Sequence, residues 1–134
     1  GMKGCAQTGV GAYHYVSAIV NTIRKSNGGR RIPVFITEIG WPIGEWKEIS
    51  RIDSAEQSKY LVNALQLTSK LSFVAGFLIY QLKDPNSNPL DKESNFGLMT
   101  VANRPKASYE AIRDYLTSPS GSASYGFKSA AVCP

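Results

Sequence analysis

The chain is poor in the residues that build metal centres and disulfide scaffolds. Its 134 residues include two cysteines, Cys5 and Cys133, and one histidine, His14. The cysteines stand at opposite ends and match no ligand spacing, and one imidazole does not complete a zinc site. A bridge between the ends and a pair of free thiols both stay open. No apolar run approaches the roughly 20 residues that a membrane-spanning helix requires. Cations exceed anions, 15 to 10, for a net charge of +5, but they are scattered. The densest cluster is Arg24-Lys25 with Arg30-Arg31. A nucleic-acid partner would call for a stripe of positive charge, whereas these residues fit helix C-termini, where the helix dipole favours cations. Neither nucleic acid nor membrane is expected as a partner. Nothing after Met2 resembles a signal peptide, and Gly1 before Met2 reads as the scar of a cleaved tag.

What is present describes an ordinary folded chain. Hydrophobic residues make up 43%, which excludes intrinsic disorder. Twelve glycines and seven prolines exclude collagen and linker classes. The length fits one domain. Residues 1–11 are small and Gly-rich and read as tag scar and loop. From Ala12 an apolar face runs through Val16, Ile19, Val20 and Ile23, the spacing of a helix that Asn27-Gly28-Gly29 stops. Residues 32–39 form a short apolar run rich in β-branched residues, the pattern of a parallel strand covered on both faces. Pro33 sits at a permitted position at its start. A loop then extends to about Ile52.

Asp53-Ser54-Ala55-Glu56 has the form of a capping box and opens a second helix. Its inward face is Tyr60, Leu61, Ala64, Leu65 and Thr68. Residues 73–82 are a second buried strand, so strand, helix and strand make a right-handed βαβ unit. Residues 83–104 form a loop long enough to suggest function. Pro105 takes the favoured first position of a third helix with Ala111, Ile112, Tyr115 and Leu116 as its buried stripe. Residues 12–117 thus read as a single α/β domain. The Ser/Gly/Ala-rich tail, residues 118–134, reads as partly disordered, with an edge strand near its end as the alternative.

Ligands of parallel α/β folds meet the C-terminal ends of the strands. Glu38 ends the first apolar run, and Tyr80 and Gln81 end the second, with Asp84 just beyond. A carboxylate at the end of an apolar strand is costly unless it is hydrogen-bonded or used. Pairing with an arginine or a helix N-terminus is the structural alternative.

Three segments carry a resemblance. Thr37-Glu38-Ile39-Gly40-Trp41-Pro42 resembles the seventh-strand segment of the clan A (β/α)₈ retaining glycoside hydrolases, whose Glu is the nucleophile. Residues 76–84 are similar to the eighth strand, where an aromatic residue floors the sugar site; here it is Tyr80. Asn95-Phe96-Gly97-Leu98-Met99 and residues 105–112 are similar to the run into the last helix. The likeness spans about residues 17–116, and the implied fold is a partial TIM-barrel-like (βα) fragment with parallel strands and three helices, the last quarter to third of a barrel.

The resemblance implies Glu38 as catalytic nucleophile and Trp41, Tyr80, Trp46 and Asp84 as sugar contacts, with no metal and no cofactor. Loop anchoring is the alternative for both tryptophans. A nucleophilic carboxylate must stay ionised, so a donor beside it is expected, from Tyr80 or Tyr15. Glu45 and Asn86 are further hydroxyl-binding candidates. Tyr13-His14-Tyr15 matches the family's sixth-strand region poorly and reads better as a Tyr-rich helix start. No Asn-Glu pair matches the family's acid/base position, and neither Glu45 nor Glu48, on the loop after the first strand, is assigned to it. The implied substrate is a β-linked glucan or related glycoside, with little hydrolysis by the isolated chain. A non-catalytic carbohydrate-binding module and an α/β interaction protein are the other readings. A two-stranded piece of a barrel would expose its inner face and its edges, so the expected partner is a second copy or the missing N-terminal barrel part, unless the tail and loop cover the sheet.

Overall fold

The computed structural model describes residues 11–47 and 49–118. The N-terminal loop, the tail and both cysteines lie outside the described residues, as does Glu48. Helix α1 spans Gly11–Ser26. It closes in a Schellman-type turn, with Gly28 at φ 62° and Gly29 N–H donating to the Arg24 carbonyl at 2.9 Å. Arg24 and Lys25 occupy its last turn, and the Arg24 side chain also donates to the Gly29 carbonyl.

Strands β1 (Val34–Ile39) and β4 (Val74–Ile79) pair in parallel, with Val34 opposite Val74 and Ile39 opposite Ile79. The expected strand–helix–strand order is present: α2, Ser54–Ser69, connects them. The Asp53 carboxylate accepts from Glu56 N–H at 2.8 Å, and Glu56 accepts in return from Asp53 N–H at 3.0 Å. This reciprocal box sets where α2 begins.

Between β1 and α2, where the sequence reads as loop, lies a small antiparallel hairpin. Its strands are β2 (Gly44–Trp46) and β3 (Ile49–Ile52). Each is too short to show a period-two pattern, so its existence is a tertiary effect. Helix α3 spans Ala107–Thr117, with Lys106 as its N-cap. Pro105 is therefore outside the helix. It bridges to Met99, and the next N–H, that of Lys106, donates to the Leu98 carbonyl.

The apolar centre is Leu61 of α2, Leu98 of the long loop and Ile112 of α3. Trp41, Leu65, Ile79 and Tyr109 pack around it. Gln57, fully buried and polar, ties these layers together. Its amide donates to the carbonyls of Trp41 (2.8 Å), Phe96 (3.3 Å) and Asn95 (3.4 Å). Its oxygen accepts from the Ser108 hydroxyl at 2.8 Å. Every hydrogen-bonding atom of the amide oxygen–nitrogen pair thus has a partner, which is what makes such burial tolerable.

Burial departs from the sequence pattern on one side. Both apolar strands read as covered on two faces, yet Phe35 is 61% and Leu78 56% exposed. The sheet has two strands, and the packing around Ile79 covers only the opposite face. On α1, Val20 is buried while Ile19 and Ile23 face solvent, and on α3 Leu116 is 66% exposed.

Candidate functional site

The C-terminal ends of β1 and β4 come together because Gly40 permits it. A Cβ at Gly40 would stand 2.0 Å from the Tyr80 carbonyl oxygen, so any side chain would push the strand ends apart. Tyr80 N–H donates to the Ile39 carbonyl at 2.7 Å, and the Tyr80–Gln81 peptide bond is cis. Glu38 and Tyr80, read from separate motifs, therefore share one strand-end wall. Glu38 is exposed, and among the described residues its carboxylate has no lysine or arginine within ion-pair distance.

The Tyr80 hydroxyl donates to Glu93 Oε2 at 3.1 Å. Its donor is thus directed to Glu93 rather than to Glu38. The Tyr80 ring stands edge-on to Phe96 at 5.3 Å. The hydrogen bond to Glu93, then desolvation, then the charges of Glu93, Glu38 and Asp91 hold the phenol above its ordinary pKa. The charges that raise it are all negative. The side chain of Tyr15, the other expected donor, is outside the described residues.

Glu93 is the residue that sequence reading missed. It lies on the 3₁₀ turn Lys92–Asn95 within the long loop. Its N–H donates to Asp91 Oδ1 at 3.2 Å, and its carbonyl accepts from the Gln81 amide at 2.9 Å. The Ser94 hydroxyl donates to Asp91 Oδ2, holding the Asp91 carboxyl below its usual range with help from Glu93 N–H and Asn86. The signal was present: Asp91 with Glu93 and Ser94 following is the side-chain-to-backbone pattern that starts a turn.

The remaining sequence candidates are held by the loops they belong to. Trp41 is half-buried, tilted at 36° against Tyr60 with centroids 5.6 Å apart, and packed on the Leu61 cluster. The Trp46 indole lies against Gly44 and donates to the Pro42 carbonyl at 3.4 Å. Asp84 is buried. Its Oδ1 accepts from Gly97 N–H at 2.7 Å and its Oδ2 pairs with the Lys106 ammonium at 2.5 Å. Both oxygens thus hold the long loop to the start of α3. Glu45 is exposed on β2, and Asn86 caps a turn by accepting from Asn88 N–H.

Two hollows among the described residues lie elsewhere. One, of about 80 Å³, is lined by Val20, Ile32, Val34, Phe73, Arg24 and Arg31. The other, of about 180 Å³, is beside it. Both sit at the N-terminal ends of the strands and carry no carboxylate. The Glu38–Tyr80–Glu93 wall is an open surface instead, and its chemistry is that of the strand ends.

Neither a family model nor a curated protein matches the sequence. Solved structures do. A family 39 glycoside hydrolase from Bacteroides cellulosilyticus WH2 matches 60% of this chain at 29% identity and a TM-score of 0.50. A GH2 beta-galacturonidase from Eisenbergiella tayi matches 75% at 24% identity and a TM-score of 0.59. A Ruminococcus gnavus beta-glucuronidase matches 69% at 19% identity and a TM-score of 0.52. The matched region is only 16% to 20% of those three chains. Taken with the parallel βαβ order, these likenesses give the chain a glycoside hydrolase-like α/β fold.

Proposed function

We propose that this chain carries the nucleophile-bearing wall of a retaining glycoside hydrolase acting on a β-glucan or related glycoside. The observation that supports it most is the exposed Glu38 carboxylate, at the C-terminal end of a parallel strand, beside Tyr80 of the neighbouring strand. In such a reaction Glu38 attacks the anomeric carbon and the leaving oxygen departs with the bonding pair. A second carboxylic acid protonates that oxygen, then as a base helps water cleave the glycosyl–Glu38 ester. Tyr80 supplies an aromatic surface for the sugar, its orientation held by Glu93. Trp41 and Trp46 brace the loop that follows Glu38, with their remaining exposed surface available to the sugar.

The acid is not supplied by this chain in the proposed scheme, so unactivated substrates turn over little or not at all. Further βα units, or a second copy, cover the open face of the sheet. Sedimentation of the chain as a monomer with that face in solvent would contradict this part.

A carbohydrate-binding module without catalysis is the second reading, favoured by the partly exposed Tyr80, Trp41 and Trp46. Titration with soluble β-glucan oligosaccharides, followed by tryptophan fluorescence, together with glycosyl labelling by a dinitrophenyl β-glucoside, whose leaving group needs no acid, separates the two. Labelling that disappears in Glu38→Gln supports the hydrolase. Saturable binding without labelling supports the module. The absence of binding removes both.

A further inference from the structure

The strand-end wall gathers carboxylates. Glu93 Oε2 accepts from the Tyr80 hydroxyl at 3.1 Å, Asp91 Oδ1 accepts from Glu93 N–H at 3.2 Å, and the charges of Glu93, Glu38 and Asp91 all push the Tyr80 phenol upward. No lysine or arginine nitrogen lies within 4.0 Å of these three carboxylates among the described residues. The described ion pairs engage Asp84, Glu110 and Asp114 instead. Glu93 is also built into place: its N–H, its carbonyl and Oε2 are each held, by Asp91, Gln81 and Tyr80. One hydrogen bond, from the Tyr80 hydroxyl, orients its carboxylate.

We propose that Glu93 is a specificity-determining residue, which turns this wall against anionic sugars so that the site takes neutral or ammonium-bearing sugars and rejects uronic acids. This inference rests on the sugar-site reading above and names the substrate class of that site. A retaining glycosidase of any specificity bears the charge of its nucleophile. What differs here is a second fixed carboxylate, and a third behind it, where a uronate-binding wall needs a cation to offset the desolvation of the sugar's own carboxylate. At a separation of about 6 Å and an effective dielectric between about 80 and 40, one carboxylate disfavours another by about three- to tenfold. An ammonium is favoured by a similar factor. The contrast is with the R. gnavus and E. tayi enzymes, whose names specify glucuronate and galacturonate chemistry.

The test is binding of D-glucose, D-glucosamine and D-glucuronate to the full chain at low ionic strength, by calorimetry or ligand-observed NMR. Glucosamine should bind at least as tightly as glucose, and glucuronate about three- to tenfold more weakly. In Glu93→Gln the gap between glucose and glucuronate should narrow by about the same factor, and near 1 M salt it should shrink in the parent chain. Circular dichroism and the melting temperature confirm that the variant is folded. Glucuronate binding as tight as glucose, or a gap that Glu93→Gln leaves unchanged, overturns the assignment while leaving the sugar site standing. Failure of all three sugars to bind overturns the sugar-site reading, and this assignment with it.

Discussion

The two faces of the β1–β4 sheet are built from similar residues and meet different surroundings. One face carries Ile79 against Leu61 and Leu65 of α2, in a cluster closed by Leu98 and Ile112. The other presents Phe35 and Leu78, each more than half exposed. Parallel sheets are normally covered on both faces, and a two-stranded sheet has little stability of its own. The helix-covered face is therefore where this chain gains its folding energy. On the proposed reading, the open face is what a second copy or further βα units would cover. Glu38 and Tyr80 sit at the strand ends, at the rim of both.

The largest effect should fall on the covered face. Leu61→Ala should cost about 2–5 kcal/mol by the cavity it leaves, read from urea or thermal unfolding. Phe35→Ala on the open face should cost less than about 1 kcal/mol in the monomer, while lowering self-association seen by sedimentation. Equal costs at the two sites would erase the distinction between the faces.

Next comes Gln57→Leu. It removes the donor from the Trp41, Asn95 and Phe96 carbonyls and the acceptor from the Ser108 hydroxyl. About 1–3 kcal/mol of stability should be lost, because those partners stay buried. A neutral result would mean that water takes over and that the covered side is wetter than described.

Asp53→Ala should cost about 1 kcal/mol, the usual worth of an N-cap, by fraying the start of α2. The smallest effect belongs to the rim. Tyr80 is raised chiefly by its hydrogen bond to Glu93, so the folded hydroxyl titrates above the unfolded one. Its contribution to stability is complete below the unfolded tyrosine pKa and is lost as pH rises through the folded value. In an ultraviolet phenolate titration, Glu93→Gln should move one tyrosine back toward the ordinary value. Tyr80→Phe should remove that same transition. A profile indifferent to both changes would show that Glu93 and Tyr80 are not coupled.

What could be read from the sequence follows from how local each feature is. The capping box at Asp53 and Glu56 is local, and it forms as read. The two apolar runs at Val34–Ile39 and Val74–Ile79 are also local, and each is trimmed by the register of the partner strand. The place of Glu38 at a strand end was legible because a charge interrupts an apolar run there. Pro105 misled, since the ring that suits a helix start also suits the bridge that Met99 makes with it.

Gln57 and Glu93 were hidden for a different reason. Their roles depend on partners 16 to 51 residues away for Gln57, from Trp41 to Ser108, and 13 away for Glu93, at Tyr80. Periodicity assigns polar residues to solvent by default. It cannot show that a glutamine will be surrounded by carbonyls that need its donors. Asp84 shows the same limit from the other side. Its place after a strand suggested a ligand contact, and its oxygens are taken by Gly97 and Lys106.

The most direct test of Glu38 needs no acid. A dinitrophenyl β-glucoside has a leaving group that departs without protonation, so the nucleophile alone can open the bond. Mixed with the full chain and analysed by intact and peptide mass spectrometry, it should leave one glucosyl group esterified to Glu38, and Glu38→Gln should remain unlabelled. A parent chain that stays unlabelled, or a variant labelled to the same extent, would contradict the assignment of Glu38 as a glycosidase nucleophile.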